Sequence, residues 1–168
     1  MAIMKLKDGI TSVGVLNPNM RVFDIIMQTE YGTSYNAYVV KGEKTALIDT
    51  VHARFFEDYL ENVQSVVDIK EVDYIVSNHT EPDHSGSIQK ILDLNPNITI
   101  VSTMAGKKYL DKITNRSFAS MIVKDGETLD LGGKTLLFRV APFLHWPDSM
   151  FTYVQEDKVL FSCDMFGC

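Results

Sequence analysis

A chain of 168 residues that is 45% hydrophobic and 23% charged has the balance of an ordinary folded domain and too much apolar content for disorder. At this length one fold can bury roughly 70% of the surface its unfolded chain exposes, so neither disulfides nor a partner is needed to make a core. A net charge of −6 argues against nucleic acid or an anionic membrane as partner, and no stretch approaches the ~20 apolar residues that span a bilayer.

The opening residues Met1 to Ile10 lack the apolar run of a signal peptide, so a cytoplasmic protein is expected. Segments rich in β-branched and aromatic residues then predict strands at Ile10 to Leu16, Arg21 to Thr29, Thr33 to Lys41 and Lys44 to Thr50. Turn residues separate them at Asn17, Pro18 and Asn19, at Tyr31 and Gly32, and at Gly42, which reads as an antiparallel meander. From Ala53 the period changes. Phe55, Phe56, Tyr59, Leu60, Val63, Val66 and Val67 fall on one stripe with Arg54, Glu57, Asp58, Glu61 and Gln64 opposite, an amphipathic helix.

Beyond it the pattern predicts a buried strand over Val72 to Ser77, a helix over Ser87 to Leu94 stopped before Pro96, a strand over Ile98 to Ser102 and a helix over Ala105 to Ile113. Lys107, Lys108 and Lys112 on that helix, interrupted by Asp111, read as a solvated face. Strands are expected at Ala119 to Lys124, Lys134 to Val140, Phe151 to Gln155 and Val159 to Cys163. Strands alternating with helices after an all-strand opening imply an α/β layered architecture. No internal repeat or linker divides residues 1–168, so one domain is expected. Cys163 and Cys168, at the end of the chain, form neither a disulfide framework nor a CxxC motif and read as reduced thiols.

The informative segment is Ile75-Val-Ser-Asn-His79-Thr-Glu81-Pro-Asp83-His84-Ser-Gly86, which places two imidazoles and two carboxylates directly after a buried strand. In extended chain His79 and Glu81 project to the same side, while Pro82 bends the backbone so that Asp83 and His84 can serve a different target. One loop could therefore serve two metals. A polar turn capping the next helix, through Asp83 or Ser85, is the plainer reading. Asp164 follows an apolar strand, where a rigid element would hold a ligand, although a strand-end turn residue looks the same. Asp49, also at a strand end, reads equally as a turn former and as the acceptor for the N–H of a ligating histidine. His52 reads as a surface residue.

The motif H-x-E-x-D-H resembles that of the flavodiiron proteins, within a superfamily of metallo-β-lactamase-like hydrolases that usually carry H-x-H-x-D-H. Glu81 in place of the hydrolase histidine marks the difference. LHWPDSMFTY with His145 and LFSCDMFG with Asp164 match as well, as do TSYNAYVV and ALIDT, so the resemblance runs over essentially the whole chain. It implies a metallo-β-lactamase-like αββα sandwich in which His79, Glu81 and His145 bind one iron and His84 the other. Asp83 and Asp164 would supply further oxygens, Asp164 as the bridge.

The resemblance further implies reduction of oxygen to water or of nitric oxide to nitrous oxide. Electrons would come through FMN of a partner protomer in a head-to-tail dimer, fed by a rubredoxin-type donor. Trp146 would lie near that approach, although core packing is the simpler reading of it. The family pattern also calls for a histidine well downstream of Asp164 and a flavodoxin-like FMN domain. The sandwich is therefore expected to be incomplete on its C-terminal side, with little turnover by this polypeptide alone. The ligand set so implied, three imidazoles with three carboxylates, is harder than an imidazole-only zinc site and suits iron or manganese. A zinc hydrolase and a non-catalytic oxygen-binding module are the alternatives.

Overall fold

The protein, a computed structural model, is described over residues 3–23 and 25–166. The chain opens with β1 (Met4–Lys7) and β2 (Ile10–Ser12), an antiparallel pair turned at Gly9. It then leaves the main sheet. In this excursion β3 (Val15–Asn17) pairs with β6 (Thr33–Tyr35), enclosing the small hairpin of β4 (Val22–Phe23) and β5 (Met27–Gln28). β7 (Tyr38–Lys41) and β8 (Thr45–Ile48) return to extend β2 as antiparallel neighbours. After α1 (Phe56–Gln64) come β9 (Tyr74–Val76), α2 (Pro82–Ser85), α3 (Ile88–Leu94), β10 (Thr99–Ser102), α4 (Met104–Thr114) and β11 (Ala119–Ile122). These three strands continue the sheet in parallel, giving the order β1-β2-β7-β8-β9-β10-β11. β12 (Thr128–Asp130), β13 (Thr135–Val140), β14 (Met150–Val154) and β15 (Val159–Phe161) form a second, antiparallel sheet.

The apolar runs of the central strands divide between two cores because side chains alternate across a strand. Leu47, Ile75 and Ile100 face one way and pack with Phe56, Tyr59 and Val63 of α1, Ile88, Ile91 and Leu92 of α3, and Leu110 of α4. Ile48, Val76 and Val101 face the other way and meet Leu136, Phe138, Met150, Val154 and Phe161 of the second sheet. Each such residue is worth about 1.5–3 kcal/mol on burial. Helix, large sheet and small sheet are thus three of the layers of the αββα sandwich. The helices expected from periodicity are present. Thr103 caps α4 by accepting the Gly106 N–H at 3.0 Å.

The opening segments depart from a simple meander. The strand expected over Ile10 to Leu16 is two strands parted at Gly14, where a Cβ would sit 2.1 Å from the Tyr35 carbonyl oxygen. Thr33 to Lys41 likewise divides between β6 and β7. Arg21 to Thr29 is a hairpin rather than one strand, closed by the Thr29 N–H on the Arg21 carbonyl at 3.0 Å. β1 and β12 are additions that periodicity does not announce. Cys168, expected to be a reduced thiol, lies outside the described residues.

The architecture places the carboxyl ends of β8 and β9 side by side, with the end of β15 and the loop after β13 above them. Open sheets bind their ligands at such strand ends.

Candidate metal centre

Past β9 the chain runs extended through His79 and Glu81, then Pro82 opens α2 at its first position, where its missing N–H goes unneeded. The carbonyl of Glu81 receives the N–H groups of His84 and Ser85, each at 2.9 Å. This turns His84 away from the extended stretch that precedes it. Gly86 ends the turn against the neighbouring strap, since a Cβ there would lie 2.7 Å from the Ala53 nitrogen.

Six side chains converge, those of His79, Glu81, Asp83 and His84 from one segment and those of His145 and Asp164 from two others. His79 Nε2 lies 3.1 Å from Glu81 Oε2, and His145 Nε2 lies 3.7 Å from the same oxygen. Asp164 sits between this group and His84. Its Oδ1 is 2.7 Å from His84 Nε2, whereas its Oδ2 is 3.1 Å from His145 Nε2 and 3.9 Å from His79 Nε2. Asp83 Oδ2 approaches His84 Nε2 at 3.4 Å. Besides Asp49–His84–Cys163, two overlapping groups could hold a metal ion, His79–Glu81–His145–Asp164 and Asp83–His84–Asp164, and within each the donor atoms lie within 4.8 Å of one another. Asp164 belongs to both.

The donors suit a hard or borderline cation. Asp83 Oδ1 is buried with no hydrogen-bond partner among the described residues, an arrangement a carboxylate oxygen tolerates poorly unless a cation faces it. Burial raises the Asp83 carboxyl, and Asp164 and Glu81 add to the rise while His84 opposes it. For Asp164, burial also works upward but is outweighed by His84, His79 and His145, so the carboxyl is held below its usual range.

Two of the ligand-type histidines, His79 and His84, have a carboxylate beside the other ring nitrogen. Asp148 lies 3.2 Å from His79 Nδ1 with both oxygens and accepts the Thr80 N–H at 2.8 Å and the Thr80 hydroxyl at 2.7 Å. It is 1% exposed. Asp49 Oδ2 stands 3.8 Å from His84 Nδ1, and Cys163 Sγ stands 3.5 Å from that nitrogen. Burial disfavours charge on both imidazoles, but Asp148 and Glu81 raise His79, and Asp164 and Asp49 raise His84 well above its ordinary value. Burial beside Asp49 pushes the Cys163 thiol up to about 12. A thiol so placed is protonated and unreactive.

Asp49 and Cys163 both adopt the left-handed backbone region, at φ 54°, where strand ends turn sharply toward His84. Sequence reasoning attached no role to Asp148, whose only signal is its place three residues after His145. Trp146 is not core: its ring lies 5.4 Å from that of His79 and is 44% exposed. His52 is partly buried; its Nδ1 accepts the Arg54 N–H at 3.2 Å and its ring stacks on Tyr35, away from the cluster. A cavity of about 450 Å³ opens over Glu81, Asp83, His84, His145 and Asp164, roofed by Phe23 and Met27 of the β4–β5 hairpin.

The model of the ODP family beta lactamase matches residues 33–168. A flavo-diiron protein of Clostridium acetobutylicum is 58% identical over all of this chain, which covers 42% of that protein. The rubredoxin:oxygen oxidoreductase of the anaerobe Desulfovibrio gigas superposes with a TM-score of 0.95 at 38% identity, across 99% of this chain and 42% of its own. The flavodiiron protein of Giardia intestinalis gives 0.94 at 35% identity, across 99% and 41%. The fold is the metallo-β-lactamase-like one of these neighbours, and the chain spans about two fifths of their length.

Proposed function

Because the chain belongs to the ODP beta-lactamase family and its relatives over the matched length are flavo-diiron proteins, we propose that it is the metal-bearing part of a diiron oxidoreductase reducing oxygen, nitric oxide or both. His79, Glu81 and His145 would hold one iron, His84 and Asp83 the other, with Asp164 between them. The pair of irons would supply electrons to a diatomic molecule bound beside it.

The chain's own residues supply position and electrostatics. Asp148 lies 3.2 Å from the outer nitrogen of His79 and Asp49 lies 3.8 Å from that of His84, which favours both rings presenting Nε2 inward. Three carboxylates offset most of the charge of two divalent metals. Phe23 and Met27 shield the cavity while leaving room for a small apolar molecule. Trp146, half-exposed beside His79 and His145, marks the face on which an electron donor would approach. We assign electron supply to the FMN of a flavin-bearing partner, fed by a rubredoxin-type donor, in a cytoplasmic homo-oligomer.

The observation that supports this reading most is the division of the Asp164 carboxylate, one oxygen toward His84 and one toward His145 and His79. Elemental analysis after anaerobic, iron-replete expression should find iron, at up to two per chain. Asp164→Ala should weaken both metal positions and His84→Ala only one. Stoichiometric zinc without iron, or the same single-site loss in both variants, would contradict the assignment.

A further inference from the structure

The two halves of the cluster are backed differently, and the difference reaches into the second sheet. Behind His79, Asp148 is held directly by Thr80. Behind His84, Asp49 is held by Asn78, whose backbone N–H reaches Oδ1 at 2.8 Å and whose carboxamide N–H reaches Oδ2 at 3.3 Å. The carboxamide oxygen of Asn78 accepts in turn the hydroxyl of Thr152 at 2.6 Å. Asp49, Asn78, Thr152 and His84 are all buried.

Thr152 stands where shape alone would call for valine. On β14 it lies between Met150 and Val154 in the buried row, and its ladder partners are Phe138 and Phe161 of the inter-sheet core. A hydroxyl in such a row is costly unless it is bonded, and among the described residues its bond is to Asn78. The direction of that bond is determined. An amide oxygen only accepts, so Thr152 donates, and a flipped amide would turn its oxygen on the Asp49 carboxylate.

We propose that Thr152 is a positioning residue for His84, acting through Asn78 and Asp49. Its hydroxyl fixes the Asn78 amide, the amide fixes the Asp49 carboxylate, and the Asp49 charge, 3.8 Å from Nδ1, favours the His84 tautomer that turns Nε2 toward Asp83 and Asp164. The inference rests on the metal-centre reading above.

Cobalt(II) titration, followed by visible absorption in two backgrounds, tests it. In His79→Ala protein, where the His84 position remains, T152V should lower cobalt affinity about tenfold, the lower end of what outer partners of metal ligands contribute. In His84→Ala protein the same change should leave affinity unaltered, and T152S should restore the loss in the first background. Equal losses in both backgrounds, or none in the first, would overturn the proposal while leaving the metal centre standing. Failure of the unsubstituted protein to bind cobalt at all would remove the metal reading and this one together. Should T152V not fold, T152A is read by the same criteria.

Discussion

His79 can offer Nε2 to a metal only if its proton resides on Nδ1, and the tautomer of a buried imidazole is set by what faces its outer nitrogen. Asp148 makes that choice, because an ionised carboxylate can only accept. Replacing it by Asn keeps the shape and reverses the polarity. The amide oxygen would stay with the Thr80 donors, which puts the NH₂ 3.2 Å from Nδ1 in place of one carboxylate oxygen, so the Nδ1 proton loses one of its two acceptors and the negative charge that favours it there. Asp148→Asn should therefore lower affinity at the His79 position 10–100-fold with little effect at the His84 position, measured by metal titration. The ligand-type residues His79, Glu81, Asp83 and His84 were legible because they are neighbours in one segment, and Asp164 because it ends an apolar strand. Asp148 was not: it becomes a partner of His79 only when the loop after β13 crosses from the other sheet, 69 positions away in sequence. Asp49, ambiguous in sequence, stands at the outer nitrogen of His84.

At the level of elements, the cluster depends on how tightly α2 is pressed against the strap that follows β8. Thr50 donates its N–H and its hydroxyl to the His84 carbonyl, at 2.8 and 2.7 Å, and Ser87 donates to the Val51 carbonyl at 2.8 Å. Gly86 lets the two backbones close. A methyl there would meet the Pro82 oxygen at 2.4 Å and the Ala53 nitrogen at 2.7 Å, both backbone atoms that cannot swing aside. Its φ is an ordinary −60°, so the obstacle is contact and not backbone conformation. Gly86→Ala should destabilise the fold by about 1–3 kcal/mol, read from the midpoint of denaturant unfolding. Helices and central strands were legible from periodicity because burial on one or both faces writes a strong pattern. The opening excursion was not, since the same β-branched residues suit one strand or a folded-back hairpin. The deciding contacts, Thr29 on Arg21 and Gly14 on Tyr35, are between segments and leave no local mark.

For the whole molecule, the metal-binding groups form a seam between the sheets. His79, Glu81, Asp83 and His84 follow β9 of the large sheet, whereas His145 follows β13 and Asp164 follows β15 of the small one. Without a cation the three carboxylates face one another across that seam, relieved in part by the histidines. A bound metal would reverse the sign of the interaction and tie one sheet to the other, in parallel with the apolar core that includes Ile48, Val76, Phe138 and Phe161. At a free concentration of 100 times its dissociation constant, a ligand of the folded state adds about 2.7 kcal/mol, which for a chain of this size is roughly 5–10 °C in unfolding temperature. Chelation of the purified protein should lower the thermal midpoint by about that amount, and ferrous iron added back anaerobically should restore it. Asp164→Ala, lacking the one carboxylate shared by both groups, should respond much less to either treatment. A midpoint indifferent to chelator in a protein shown to carry metal would mean that the sheets are held by their apolar core alone and that the cluster adds nothing to their cohesion.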